Sequence, residues 1–134
     1  MTETEVLKAI VNHLRAFSMA GFSQEQQLQL PNEESVFTAP KDKLWCRASI
    51  QYADSRIVAI GNKPCKRNYG ILSIQCFAPI GSGILDIAMF CDAWTTHLEF
   101  WQSGHLEINI VHAPQHIDDD NFYGKILRAE FQVN

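Results

Sequence analysis

No apolar run in the 134 residues approaches the roughly 20 that a bilayer-spanning helix needs. Basic residues are too few for general affinity to nucleic acid: 11 Lys and Arg stand against 15 Asp and Glu, a formal net charge of −4. The N-terminus, MTETEVLKAI, is acidic and helical in pattern, without the basic start and apolar centre of a signal peptide. Residence in the cytoplasm where the chain is made is therefore expected. The four cysteines, Cys46, Cys65, Cys76 and Cys91, include no C-x-x-C pair, which argues against a zinc site. There is no G-x-S-x-G, no phosphate loop and no dinucleotide fingerprint. Repeats and low-complexity linkers are also missing, so residues 1–134 are expected to form one domain.

Apolar residues make up 46% of the chain, enough for a substantial core. The organising stretch is Tyr69–Gly83, YGILSIQCFAPIGSG. Gly70, Leu72, Ile74, Cys76 and Ala78 fall on one side of a period-two pattern, and Tyr69, Ile71, Ser73, Gln75 and Phe77 on the other. Apolar residues on both sides predict a central strand covered on both faces. Pro79 ends it because proline donates nothing to a ladder. Gly81 and Gly83 supply a turn, and Ser82 is a plausible helix N-cap.

Thr2 to Ala20 reads as the first helix, with a capping box at Thr2 and Glu5, a stripe of Val6, Ile10, Leu14 and Phe17, and Gly21 as C-cap. The segment 22–40 is irregular. Leu28 and Leu30 suggest a short strand before Pro31, and Val36 and Phe37 a contact with the core or a neighbouring subunit. A strand is predicted over 43–53 and another over 56–60, forming a hairpin or a pair of long arms that reach beyond the body. Residues 61–68, GNKPCKRN, read as a polar basic loop. The second helix, 83–100, carries a stripe of Ile84, Ile87, Ala88, Cys91, Trp94 and Leu98. It is apolar enough to need cover beyond one face. Residues 105–112 alternate with Leu106, Ile108, Ile110 and His112 on one side. Residues 113–121 read as a loop. Residues 123–133 form a half-buried strand with Tyr123, Lys125, Leu127, Ala129, Phe131 and Val133 on one face. The order α-β-β-β-α-β-β predicts the α+β class: a mainly antiparallel, possibly mixed sheet with both helices packed on it.

Candidate chemistry is sparse. His105, His112 and His116 with Asp118, Asp119 and Asp120 are metal-ligand types. Yet the alternation sets His105 and His112 on opposite faces, and the acidic triplet lacks calcium-loop grammar. A solvated acidic turn is the simpler reading, and neither metal nor cofactor is expected. Cys65 lies in the basic loop near Lys63, Lys66 and Arg67, which would favour its thiolate, but no base is signalled beside it. Cys46, Cys76 and Cys91 read as small core hydrophobes. Lys63, Lys66 and Arg67, with Arg56 and Asp54, are candidate contact residues. They would meet a neighbouring subunit's acidic patch or line a lumen, against the plainer alternative of a solvated tip. Trp45, Trp94 and Trp101, with Phe37, are expected to fill the core or an interface rather than a ligand pocket.

The run Gly70, Leu72, Ile74, Phe77, Pro79, Gly81 and Gly83, followed by a helix, resembles the small tail-terminator (tail-completion) proteins of long-tailed bacteriophages. The opening helix and the two closing strands extend the resemblance over most of the chain. It implies a structural virion protein without catalytic activity, made in the host cytoplasm and placed at the head-proximal end of the tail. It implies a hexameric ring of copies that caps the tail tube, ends tube polymerisation and offers a surface to head-completion or connector proteins. DNA would pass through the lumen, and no membrane is involved. Residues 54–68 and 22–40 would be the contact elements. The loop after Gly61 departs from the family in its wealth of Lys, Arg and Cys. Another neck component, a head–tail connector or head-closure protein, fits the same features. A small thiol enzyme using Cys65 and a monomeric small-molecule binder are the readings from other classes.

Overall fold

The structure is a computed structural model that describes residues 1–33, 36–53, 56–57 and 66–134, and only the backbone of Arg56, Ile57 and Lys66. In chain order the elements are α1 (Glu3–Arg15), α2 (Gln24–Gln27), β1 (Leu28–Gln29), β2 (Trp45–Tyr52), β3 (Arg56–Ile57), β4 (Lys66–Pro79), α3 (Leu85–Leu98), β5 (Gln102–Ser103), β6 (Leu106–Val111), β7 (Gln115–Ile117) and β8 (Phe122–Val133). One sheet runs β1-β2-β4-β8-β6-β5, with β3 pairing β4 and β7 pairing β8 off this path. β1 lies parallel to β2 and the other pairs are antiparallel, so the sheet is mixed and the class is α+β. The expected order lacked α2, β1, β5 and β7, each too short to leave a periodic signal, although Leu28 had suggested β1.

β4 is the axis. It pairs with β2 from Trp45↔Phe77 to Tyr52↔Gly70 and with β8 from Asn68↔Val133 to Pro79↔Phe122. Its Leu72, Ile74, Cys76 and Ala78 are buried with Cys46 and Ala48 of β2, Leu127, Ala129, Phe131 and Val133 of β8, and Leu106 and Ile108 of β6. Against this face lie Val6, Ile10 and Leu14 of α1 and Ile87, Phe90, Cys91, Trp94 and Leu98 of α3. Burying these stripes supplies the main driving force for docking both helices on the sheet.

The opposite face corrects the expectation of cover on both sides. It is a wet lattice: Arg47 donates to Gln29 and Gln75, Arg128 to Gln115, and Gln132 to Glu107, while His112 meets Glu130 at 2.6 Å. Ile71 stands exposed among these groups. Among the described residues, the Pro79 end of this face is its dry part. There Trp45 stacks on Phe77 at 4.3 Å, Phe122 meets Trp45 edge-on at 5.3 Å, and Phe37 tilts against Trp45 at 5.5 Å. Arg47 closes the plate, 5.5 Å from the centroids of Trp45 and Phe77.

Several boundaries move for identifiable reasons. The Thr2 hydroxyl accepts from Glu5 N at 3.2 Å as the capping box requires. α1 stops at Arg15 rather than Ala20: Ala16 N bonds to Asn12 and His13 carbonyls, Phe17 N to the Leu14 carbonyl, and Phe17 turns inward to stack on Trp94 at 3.8 Å. Gly21 serves a later turn at φ +76°. Ser82 does not cap α3; its hydroxyl donates to the Pro79 carbonyl at 2.7 Å and closes the connecting turn. α3 turns Phe90 inward and leaves Ala88 and Ile84 outside. Lys66, Arg67 and Asn68 belong to β4, not to a loop. In β6 the register shifts between Ile108 and Ile110, so Val111 faces Ala129 and the core while Ile110 and His112 turn outward. That shift ends the simple alternation on which opposite faces for His105 and His112 rested.

The last turns of α1 and α3 are joined by a reciprocal clasp. His13 Nε2 donates to the His97 carbonyl at 2.7 Å, and His97 Nε2 to the His13 carbonyl at 2.6 Å. A carbonyl only accepts, so each Nε2 carries a hydrogen. Each ring thereby bonds a carbonyl in the other helix's last turn, and the His13 carbonyl accepts from Ala16 N as well. The two rings stack at 4.0 Å, and Trp101 stacks on His13 at 4.1 Å.

Candidate functional site

Four exposed apolar residues gather at the end of the molecule where β4 turns into α3. Ile80 (68% exposed) and Ile84 (64%) lie in the turn, and Leu85 (73%) and Met89 (58%) lie one helical turn apart on the outer side of α3. Beyond them that side becomes polar, with Asp92 and Thr96 exposed. Beside this patch a groove of about 640 Å³ opens between residues 79–84 and the β7–β8 turn. Its floor is Pro79, Ile80, Ile84, Phe122 and Tyr123, and its rim is Asp118, Asp119 and Asp120. Asp119 is committed to the turn, accepting from Asn121 N at 2.9 Å and Phe122 N at 3.1 Å. Asp118 and Asp120 are exposed, with His116 3.4 Å from Asp118. Sequence reasoning took this triplet as a solvated turn and missed the groove, because Ile80 and Phe122 are 42 residues apart in sequence and meet only through the β4–β8 register.

Of the predicted contact residues, Arg56, Lys66 and Arg67 lie at the other end of the sheet. β2 and β3 follow one another along the same edge of β4: Ala53 N donates to the Tyr69 carbonyl at 2.7 Å, then Arg56 stands opposite Arg67 and Ile57 opposite Lys66. β8 reaches along β4 only to Asn68, so among the described residues Lys66 and Arg67 are paired by β3 alone. Arg67 is half-buried, and its Nε is shielded from water with no hydrogen-bond partner among the described residues. Asp54, Lys63 and Cys65 lie outside the described residues. Phe37, Trp45, Trp94 and Trp101 do not form one surface. Trp94 is a core residue, Trp101 backs the histidine clasp, and Phe37 with Trp45 belongs to the aromatic plate.

At the arm end the structure adds a residue that sequence reasoning placed inside a helix. Phe100 follows the end of α3 at φ +61° and is 74% exposed. The Trp101 N–H to Leu98 carbonyl bond closes the turn around it at 3.2 Å. A bulky residue seldom holds this conformation, which suits glycine.

The three described cysteines are free and buried. Burial pushes the Cys46 thiol well above its ordinary range, and a hydrogen bond with Cys91, together with burial, does the same to Cys76. Neither is a ready thiolate. Among the described residues no group of three or more His, Cys, Asp or Glu side chains is placed to hold a metal ion, and no helix is long and apolar enough to cross a membrane.

The sequence matches no family model and no curated protein. A solved structure whose name states no function is similar over the whole fold: TM-score 0.72 at 17% identity, covering 100% of this chain and 96% of that one. That likeness concerns the fold alone.

Proposed function

We propose that this chain is a structural protein of the tail-terminator type, whose copies close into a ring, six in number, on the end of a bacteriophage tail tube. The observation that carries the reading is the strand–Pro–turn–helix unit. The residues that resemble the family, Gly70 to Gly83, form the end of β4 and the turn into α3, and this unit holds Ile80, Ile84, Leu85 and Met89 in water. A patch of this kind, rimmed by charge, is the usual mark of a surface that meets another protein. In the proposed mechanism the ring seats one face on the last ring of tube protein. Its other face does not repeat the tube's surface, so elongation stops there and head-completion or connector proteins dock instead. DNA passes through the lumen. The protein acts in the virion at the head-proximal end of the tail, by surface complementarity and without a catalytic residue or cofactor.

Light scattering of the protein alone and with purified tail tubes tests this. A ring of six, in solution or on tube ends, is the expected result. A strict monomer that ignores tubes would sink the reading. Binding to capsids in place of tubes would favour another neck component instead.

A further inference from the structure

Acidity and exposed apolar surface coincide at one end of the molecule. Residues 79–92 and 115–124, which build the turn after β4, the first half of α3 and the β7–β8 turn, hold five aspartates and no lysine or arginine. Their formal charge of −5 exceeds the −4 of the whole chain, so the rest of the sequence is close to neutral. All five, Asp86, Asp92, Asp118, Asp119 and Asp120, are exposed. In the same stretches Ile80, Ile84, Leu85 and Met89 each keep more than half of their surface in water. The groove beside them, about 640 Å³, falls in the roughly 300–1,000 Å³ range of clefts that enclose a compact ligand.

We propose that this end of the molecule takes a segment of a different protein, one that presents large apolar side chains flanked by lysine or arginine. The apolar side chains fill the groove floor and cover Leu85 and Met89. The flanking cations meet Asp118 and Asp120, whose carboxylates are free of the turn that holds Asp119. His116, 3.4 Å from Asp118, is the one basic side chain lining the groove among the described residues. The contact deepens the role proposed above by stating the chemistry of the partner, and rests on that role only for taking the surface as one that meets another protein. A second copy of this chain is the less fitting occupant. Exposed Ile71 and Ile110 both stand opposite Glu130 in the ladder, and exposed Phe100 follows Glu99, so these apolar groups would bring carboxylates to a rim of carboxylates. The same repulsion opposes a nucleic acid.

Short, end-blocked, fluorescein-labelled peptides test this with the full chain. One carries Leu and Phe anchors flanked by Lys, a second the same anchors flanked by Glu, and a third the Lys residues with Ser in place of the anchors. By fluorescence anisotropy at low ionic strength the first should bind at least about tenfold more tightly than either control. It should move the backbone amide NMR signals of residues 80–85 and 116–123. Asp118→Asn with Asp120→Asn should weaken its binding by about tenfold, and the difference should shrink as salt is raised. Ile80→Ser with Ile84→Ser should weaken it at every salt concentration. All four positions are exposed, so both variants should keep the wild-type urea midpoint. No binding, equal binding of the three peptides, signals that move elsewhere, or variants that bind like the wild type would each overturn the proposal. Movement of the same signals with protein concentration alone would put a second copy in the groove and overturn it too. Tube capping separates this from the larger role. If the wild type and the Asp118 and Asp120 variant cap tail tubes equally well while the peptides show no preference, the partner chemistry fails and the terminator role stands. If the Lys-flanked peptide binds at the groove but the protein ignores tubes, the partner chemistry stands and the terminator role fails.

Discussion

Gly70 has no room for a methyl group. A Cβ built there would fall inside the edge of the Phe131 ring, which lies directly across the ladder, and 2.8 Å from the Gln51 carbonyl oxygen. Phe131 covers the glycine and continues to Tyr52, meeting that ring edge-on at 5.7 Å, so one aromatic spans three strands. Gly70→Ala should destabilise by about 1–3 kcal/mol in urea unfolding, since the ring has to leave its place in a packed core. An unchanged midpoint would mean that Phe131 has a second seat. Phe100 presents the opposite case. Relief of the left-handed conformation outweighs the extra backbone freedom of glycine in the unfolded chain, so Phe100→Gly should stabilise the monomer by roughly 0.5–1 kcal/mol. If the exposed ring is kept for contact between copies, the same variant associates more weakly while melting higher. A lower melting temperature would show that Phe100 serves the fold of the single chain.

At the scale of elements, the histidine clasp ties two helix ends through His13, whose protonation the fold opposes. Burial lowers the pKa of His13 below its ordinary 6.5, and the stacked His97 adds to this, against an opposing hydrogen bond to the His97 backbone. Above 6.5 His13 is neutral in both folded and unfolded chains, and stability does not depend on it. As pH falls from there toward the lower folded value, the unfolded chain binds the proton first, and stability is lost across that window. His13→Gln keeps an N–H donor but cannot titrate. The wild type should therefore lose more melting temperature than His13→Gln between about pH 7.5 and 5.5. Parallel losses in both proteins would show that the clasp does not sense pH.

The same scale shows what the sequence made legible. The α1 stripe, the inner face of β4 and the alternation of β8 were readable because each buries one face over many residues, so the period survives. The clasp was not, because His13 and His97 are 84 residues apart and neither breaks a local pattern. The outer face of β4 misled because Ile71 and Phe77 look alike in sequence. Only the neighbouring strands decide that Phe77 lies in the aromatic plate and Ile71 among charges. The shift in β6 was hidden because Asn109 carries no mark that distinguishes an extra residue from an ordinary outward one. The groove was not legible either, because it exists only once β4 and β8 are in register.

For the whole molecule, the polarity of β4 is the central feature. The strand begins with Lys66 and Arg67, paired by β3 alone among the described residues, and leads into an apolar, acid-rimmed surface at its end. The role proposed for this chain is to end a tail tube with a closed ring of copies. The most direct measurement adds the purified protein to polymerising tail-tube protein and reads tube lengths and ends by electron microscopy. The account predicts tubes that stop growing, each with a single ring of extra density at one end. Tubes that lengthen at the same rate with bare ends, or that bind the protein along their sides, would contradict it.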